Sequence, residues 1–333
     1  MQSRSLFYKA LLGSLALVLL AACAQGASAV AETSLAVTAS APPGPSPTPS
    51  SRPNPEPGDA TLATVRISEI DQMEQGYIEA GEFIMGSEDP DAKQAQEGGV
   101  AYPEAPLHTL YLPGYWIDKY EVTNGQYKLC VDADVCEAPF LPKTFMGVEY
   151  FANPDYAHYP VIYVDWYMAR DYCEWADRRL PTEAEWEKAA RGTDGRKFPW
   201  GNDPVTGERA NFCDGNCPKL HANPAFDDGY SETAPVGSYP AGASPNGIMD
   251  MSGNVWEWTS TIPQPYPYDA EDGREAKDLR VGAEVREAYE GPQRVWRGGT
   301  WANGVWWMRA TVRYHSVPWY WHNSLGFRCA ASE

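Results

Sequence analysis

Basic residues are scarce in this chain: 26 Lys and Arg stand against 45 Asp and Glu, a formal net charge of −19. That balance argues against nucleic acid and anionic lipid surfaces as direct partners and suits cations, although acidity by itself is commonly just a solvated surface. Histidine is also sparse. The five present, His108, His158, His221, His315 and His322, show no metal-ligand spacing, and only the last two are even close together. A Ser-His-Asp pattern, a phosphate loop, a dinucleotide fingerprint and an internal repeat are all lacking. The longest apolar run, "ALLGSLALVLLAA", is too short to cross a bilayer as a helix.

That run follows Arg4 and Lys9 and ends on small residues, the pattern of an export signal. It closes on Leu20, Ala21, Ala22 and Cys23, which resembles a bacterial lipobox, so residues 1–22 read as a signal peptide and Cys23 as a lipidation site. The expected location is the bacterial cell membrane, lipid-anchored, facing outside the cytoplasm, with the membrane touched through the anchor only. Residues 23–62 contain "APPGPSPTPSSRPNPEPGD" and almost no large apolar side chains, so they read as an extended tether. Residues 63–333, rich in Trp and Tyr, read as one globular unit.

Beyond Cys23 six cysteines remain, Cys130, Cys136, Cys173, Cys213, Cys217 and Cys329, an even count that in an exported chain points to disulfides. Cys130 with Cys136 and Cys213 with Cys217 are near enough in sequence to be local staples, which leaves Cys173 with Cys329. Fifteen pairings are open to six cysteines, so spacing gives a preference only.

"GYIEAGEFIMGS" and "HTLYLPGYWIDKYEV" alternate apolar and polar residues as strands do. Thr123 with Gln126 and Thr182 with Glu185 have capping-box spacing, and Asp165 is placed to cap a helix with Trp166, Ala169, Cys173 and Ala176 on one face. Trp186, Ala189 and Ala190 line the next helix, which should stop at Gly192. From there regularity fades into Gly, Pro, Asn and Asp for about 140 residues, a length that needs staples other than helices and sheets.

In "DMSGNVWEW", Asp250, Gly253, Val255 and Glu257 fall at i, i+3, i+5 and i+7. Two carboxylates and two carbonyls at that spacing suit a hard cation such as calcium. A glutamate between two tryptophans equally suits a structural carboxylate that accepts from indole N–H groups.

Six motifs then recur in one order: "GEFIMGS", "YPVIYVDWYMARDYCEWADRRLPTEAEWEKAARG", "FPWGND", "TAPVGSYPAGASPNGIMDMSGNVWEW", "RVWRGGTW" and "NSLGFRCA". From Gly76 to the C-terminus the chain resembles the formylglycine-generating enzyme, or sulfatase-modifying-factor, family. The resemblance implies an α+β, C-type-lectin-like fold with little regular secondary structure. It also implies two structural calcium ions, one at Asn211, Phe212, Asp228 and Tyr230, the other at Asp250, Gly253, Val255 and Glu257. Pairing of the "YCEW" cysteine with that of "GFRC" is implied as well, which is Cys173 with Cys329.

Active members bind copper(I) through two cysteines just after the "GG" element and oxidise a cysteine of a sulfatase to formylglycine. Soft thiolates suit that ion. Here Trp301 to Arg313 contains no cysteine; Asn303 stands about where the first would be, and Met308 is the only sulfur nearby. The cleft positions that match the family's active site are Thr300, Trp301, Asn303 and Trp256, with no catalytic residue among them. The resemblance leaves two readings: a binding or accessory module for an extracytoplasmic protein, peptide or glycan, without copper, or an oxidoreductase that modifies a protein. In the first, Trp301, Trp319, Tyr320 and Trp321 are the expected exposed rim, because "VPWYWHNS" surrounds a proline and ends in turn formers. Trp306 and Trp307 are expected to alternate, one toward the core and one toward solvent, as neighbours in a strand do. Arg309, Arg313 and Arg328 are expected only to pair with the abundant carboxylates.

Overall fold

Both capping boxes form, and they set where the first and third helices start. The computed structural model describes residues 64–90, 103–276 and 291–333, all within one compact unit, Gly58–Glu333. The signal, Cys23 and the tether lie outside the described residues. Thr123 accepts from the Gln126 amide while Gln126 reaches back to the Thr123 amide, opening α1 (Asn124–Asp132). Asp165 caps α2 (Trp166–Trp175) through the Met168 amide at 2.9 Å. Thr182 and Glu185 open α3 (Glu183–Arg191), which Gly192 ends.

Three small sheets surround these helices. The alternating segments become β2 (Glu74–Ile78), β3 (Gly81–Met85), β4 (His108–Leu112) and β5 (Tyr115–Asp118). With β1 (Val65–Ile67) and the last strand β10 (Ala330–Ser332), the first sheet runs β1-β2-β5-β10, so β10 pairs with β5 at the edge opposite β1. β3 and β4 form a separate hairpin. The third sheet runs β8 (Arg313–Ser316), β7 (Arg294–Arg297), β6 (Trp256–Trp258), β9 (Leu325–Phe327), with β6 and β9 parallel.

The largest core cluster joins α1 and α2 to β6 and β9 and holds Trp166, Tyr172, Trp256, Trp258, Leu325 and Phe327. All three expected disulfides are present: Cys130–Cys136, Cys173–Cys329 and Cys213–Cys217. The second ties α2 to the C-terminal segment across 156 residues and in the chain-entropy picture contributes about 5 kcal/mol.

Between the elements the backbone is irregular, and its carbonyls are met by arginines. Arg309, Arg313 and Arg328 do pair with carboxylates as expected, and because all three are buried the pairs are not the weak, solvent-screened kind. Arg313 grips Glu183 with Nε at 2.5 Å and Nη2 at 2.6 Å. Arg297 bridges Glu183 and Glu187 and donates to the carbonyls of Ala310 and Thr311. Arg328 grips Glu257 at 2.7 Å through both Nε and Nη2 and donates to the carbonyls of Asp118, Lys119 and Met249. Arg309 pairs with Glu104 at 2.6 Å. The pairs seat because each guanidinium is shared between a carboxylate and backbone acceptors, which leaves little charge unmet.

Removing one member of such a group strands the others. Glu187→Gln should cost about 3 kcal/mol in denaturant-monitored stability, since it leaves Arg297 and Arg191 short of charge. Burial alone raises the Glu187 carboxyl, but Arg297 and Arg191, with the Gly86 amide, hold it below the ordinary glutamate range. Its folded value lies below the unfolded one, so its contribution is complete above about pH 4.3 and is lost as pH falls through the folded value. The wild type should therefore lose more melting temperature on acidification than the Glu187→Gln variant; equal slopes would contradict this.

Candidate functional site

β6 carries the site. Trp256 and Trp258 are both buried, and Glu257 between them accepts from Arg328 and from the Trp186 indole at 2.7 Å. Ahead of β6 the chain turns sharply at Asp250 (φ 59°), Gly253 (φ 95°) and Asn254 (φ 56°). A Cβ on Gly253 would lie 2.2 Å from the Asn211 carbonyl oxygen, so only glycine lets these two segments touch there.

The two oxygen sets proposed for calcium are consequently neighbours. Asn211 donates to the Glu232 carbonyl at 2.9 Å and to Asn254 Oδ1 at 3.2 Å, which leaves its own Oδ1 buried without a partner. Asp228 accepts from the amides of Phe212 and Tyr230 at 2.9 and 3.0 Å. In the second set Asp250 accepts from Gly237 through Oδ2, and its Oδ1 is likewise buried and unpartnered. Glu257 there is also a structural carboxylate: Arg328 and Trp186 take three of its roughly four lone-pair positions. The reading of Glu257 as a structural carboxylate that accepts from an indole N–H is the one these contacts bear out.

Electrostatically the sets differ: the second has Arg328 on Glu257 at 2.7 Å, while no cation counts among the main influences on Asp228 in the first. Burial pushes Asp228 up to about 7 against its two amide hydrogen bonds, with Asp214 and Asp227 adding to the rise. Burial pushes Asp250 up to about 6, opposed by the Gly237 amide and Arg328. Among the described residues no three His, Cys, Asp or Glu side chains converge as a metal cluster. An ion here would rely on carbonyl and carboxamide oxygens as much as on carboxylates, the donor mix of a hard cation. The orphaned oxygens of Asn211 and Asp250, one in each set, fit such an ion.

Downstream of β7 the segment Gly298–Met308 folds back under the turn at Asn254. Gly298 and Gly299 have φ of 105° and 74°, and a Cβ on Gly299 would meet Met308 Cε and the Trp307 carbonyl at 2.7 Å. Thr300 Oγ1 donates to the Asn254 carbonyl at 2.8 Å, and the Trp301 amide donates to the same group. Asn303 is joined to the disulfide loop by the Cys213 amide at 2.7 Å, and its Oδ1 has no partner. Met308 is fully buried. Trp306 and Trp307 do not alternate as strand neighbours: Val305–Met308 is a 3-10 turn, with the two rings perpendicular, 4.7 Å apart, and both half-buried.

The expected rim needs one correction. Trp301 is 1% exposed, its indole donating to the Asn323 carbonyl at 3.3 Å, because it packs on the Cys213–Cys217 disulfide and closes a core cluster. Trp319 is half-buried, and Tyr320 and Trp321 are exposed. Tyr320 stacks on Trp296 at 5.3 Å, and Trp321 stacks on Phe140 at 5.3 Å. Trp296 contacts Trp256, Trp258 and Tyr314, and Trp256 contacts Trp307, so an aromatic band runs from the exposed edge down to β6.

Sequence reasoning missed the opposite part of this surface. Residues 140–148 fold into a turn in which the Glu232 carboxylate accepts from the amides of Phe145 and Met146 at 2.8 and 3.1 Å, leaving both side chains exposed. The Lys219 ammonium sits 3.6 Å from the Phe145 ring centroid and 5.3 Å from that of Trp301. The only available signal was five apolar residues in "FLPKTFMGV" without helical or strand periodicity.

The described fold is shared with known proteins. The family model of the sulfatase-modifying factor enzyme 1-like domain matches residues 64–333. The mouse formylglycine-generating enzyme is 31% identical over 306 residues, covering 77% of this chain and 74% of that protein. The mouse inactive C-alpha-formylglycine-generating enzyme 2 is 29% identical, covering 77% and 85%. Among solved structures, PvdO from Pseudomonas aeruginosa superposes with a TM-score of 0.61 at 25% identity, over 82% of this chain and 99% of that one. Treponema denticola variable protein 1, at 0.52 and 21% identity over 82% and 99%, is similar in fold alone. The chain belongs to the sulfatase-modifying-factor, or formylglycine-generating-enzyme-like, family, and its fold is the α+β, C-type-lectin-like one of that family.

Burial separates the two tryptophans once grouped as rim. Trp301→Ala should cost about 3–5 kcal/mol of unfolding free energy, as a deleted core indole does, and Trp321→Ala no more than about 1 kcal/mol. Denaturant unfolding reads both, and the reverse ranking would contradict the placement.

Proposed function

We propose that this chain is a binding or accessory module of its family, without cysteine-oxidase activity, anchored to the bacterial cell membrane through lipidated Cys23 and facing outside the cytoplasm. One observation carries the reading. Trp301 to Arg313, where the family resemblance puts two copper thiolates, has no cysteine, and every cysteine among the described residues is in a disulfide. Neither Asn303 nor the buried thioether of Met308 replaces a thiolate as a ligand for copper(I) or as a redox partner. The 29% identity to a mouse relative described as inactive agrees with a family that retains its fold without that chemistry.

The partner is an extracytoplasmic protein, peptide or glycan, and the surface offered to it is the aromatic one. Tyr314, Tyr320, Trp321, Phe140 and Phe145 are exposed large rings on neighbouring segments, the composition of a recognition face. Two calcium ions belong to the same proposal. Asn211 and Asp228 with the carbonyls of Phe212 and Tyr230 would hold one, and Asp250 and Glu257 with the carbonyls of Gly253 and Val255 the other. Their role is structural: each supplies positive charge where a buried oxygen lacks a partner.

Mass spectrometry of a Cys-x-Pro-x-Arg peptide incubated with the copper-treated protein should show its cysteine unchanged. A mass loss there would restore the oxidoreductase reading. Chelation should lower the melting temperature by roughly 5–10 °C, the equivalent of losing about 2.7 kcal/mol of ligand stabilisation, and Asp250→Ala should reduce that sensitivity. A native protein indifferent to chelator would contradict the calcium sites.

A further inference from the structure

Two β-turns beside the aromatic face carry large apolar residues where small polar ones are usual. The Gly147 amide donates to the Thr144 carbonyl at 3.0 Å and closes the first, with Phe145 and Met146 at its centre; the Ala222 amide closes the second on the Lys219 carbonyl at 3.1 Å, with Leu220 and His221 at its centre. Such positions favour Gly, Asn, Asp and Ser. Phe145 is 50% exposed, Met146 59% and Leu220 completely so. The Lys219 ammonium over the Phe145 ring sets the two turns side by side, and His221 Nε2 donates to the Ala302 carbonyl at 2.9 Å, which leaves Leu220 as the outward residue of its pair. Met146 and Leu220 add little to folding from there, and apolar residues clustered in water mark a contact surface.

The chemistry around the tips narrows the partner. The chain has 45 acidic residues, yet residues 138–148 and 215–226 hold none, while Lys143 and Lys219 flank the tips. Lys143 pairs with the exposed Glu149 at 2.9 Å. At the first tip the amides of Phe145 and Met146 both donate to the Glu232 carboxylate, so this turn can leave water without stranding them. A protein partner would need a pocket shaped for each projecting side chain. A bilayer interface accepts them without one, and flanking lysines reach its headgroup phosphates.

We infer that these two turns form a membrane contact additional to the anchor, with Phe145, Met146 and Leu220 entering the headgroup region of a lipid bilayer and Lys143 and Lys219 at its phosphates. The inference rests on the membrane-anchored reading, in which the lipid on Cys23 already holds the domain near that surface. A net charge of −19 opposes anionic lipid, so apolar insertion and not net attraction holds the contact. Salt, which screens the repulsion, should therefore leave it intact.

The test is flotation of the mature-length chain, from residue 23 onward and carrying Cys23→Ser so that it bears no acyl group, on phosphatidylcholine vesicles and on vesicles with added phosphatidylglycerol. Acylation of Cys23 is read separately, by mass spectrometry of the native chain, so the anchor and the turns can fail independently. The chain with unaltered turns should float with phosphatidylcholine and stay bound at about 1 M salt. Leu220→Asp and Met146→Asp should each weaken binding about tenfold with the melting temperature retained, whereas Tyr111→Asp, at a 62% exposed position on β4, should not. Added vesicles should also slow hydrogen exchange over residues 144–148 and 219–222, a reading that needs no substitution in the turns. Absence of flotation, which a surface serving only a protein partner would give, would overturn the membrane contact, as would release by salt or binding untouched by both turn variants.

Discussion

A backbone without long helices or wide sheets must still satisfy its carbonyl groups when it is buried, and here the donors are arginines. Each guanidinium brings five N–H groups in a rigid plane, enough to hold a carboxylate and two or three carbonyls together. Arg297 fixes Ala310 and Thr311 against α3, and Arg328 fixes Lys119 and Met249 against β6. Arg178 instead joins two carboxylates, Asp71 ahead of β2 and Asp118 on β5. The carboxylates are the anchors of this scheme because they sit on the few regular elements: Glu183 and Glu187 on α3, Glu257 on β6, Asp118 on β5.

The segment after β7 is fixed in the same way, by contacts to backbone groups and to the Arg328 clamp. Thr300 and Trp301 are held by the Asn254 carbonyl, Gly299 is packed against Met308, and Glu257 is clamped by Arg328 and Trp186. Support of this kind does not depend on which side chains the segment presents, which is how one fold comes to host different functions. The segment that follows the glycines is then free to carry Trp307 toward the exposed aromatic band.

Local features were legible in the sequence. Two capping boxes and the Asp165 cap place the helices because capping is settled within four residues, and Gly192 ends α3 as its position indicates. The disulfide frame followed from an even cysteine count and close pairs, with the long link supplied by family resemblance. Contacts settled at a distance were not legible. Trp301 looked like a rim residue until its indole met Asn323, and that Arg313 would pair was expected but not that its partner is Glu183, 130 residues earlier. Phe140 and Phe145 carried no periodicity at all; Glu232, 87 residues after Phe145, is what exposes it. Trp306 and Trp307 misled because a strand pattern and a 3-10 turn are indistinguishable over four apolar residues.

Nitrogen-resolved NMR of the arginine side chains measures the governing interaction without any substitution. Guanidinium groups locked by carboxylates, and in Arg297, Arg313 and Arg328 by carbonyls as well, should give separate, slowly exchanging Nη proton signals for Arg178, Arg297, Arg313 and Arg328. Averaged, fast-exchanging signals from these four would contradict the account, because they would mean that the buried carbonyls are satisfied in some other way.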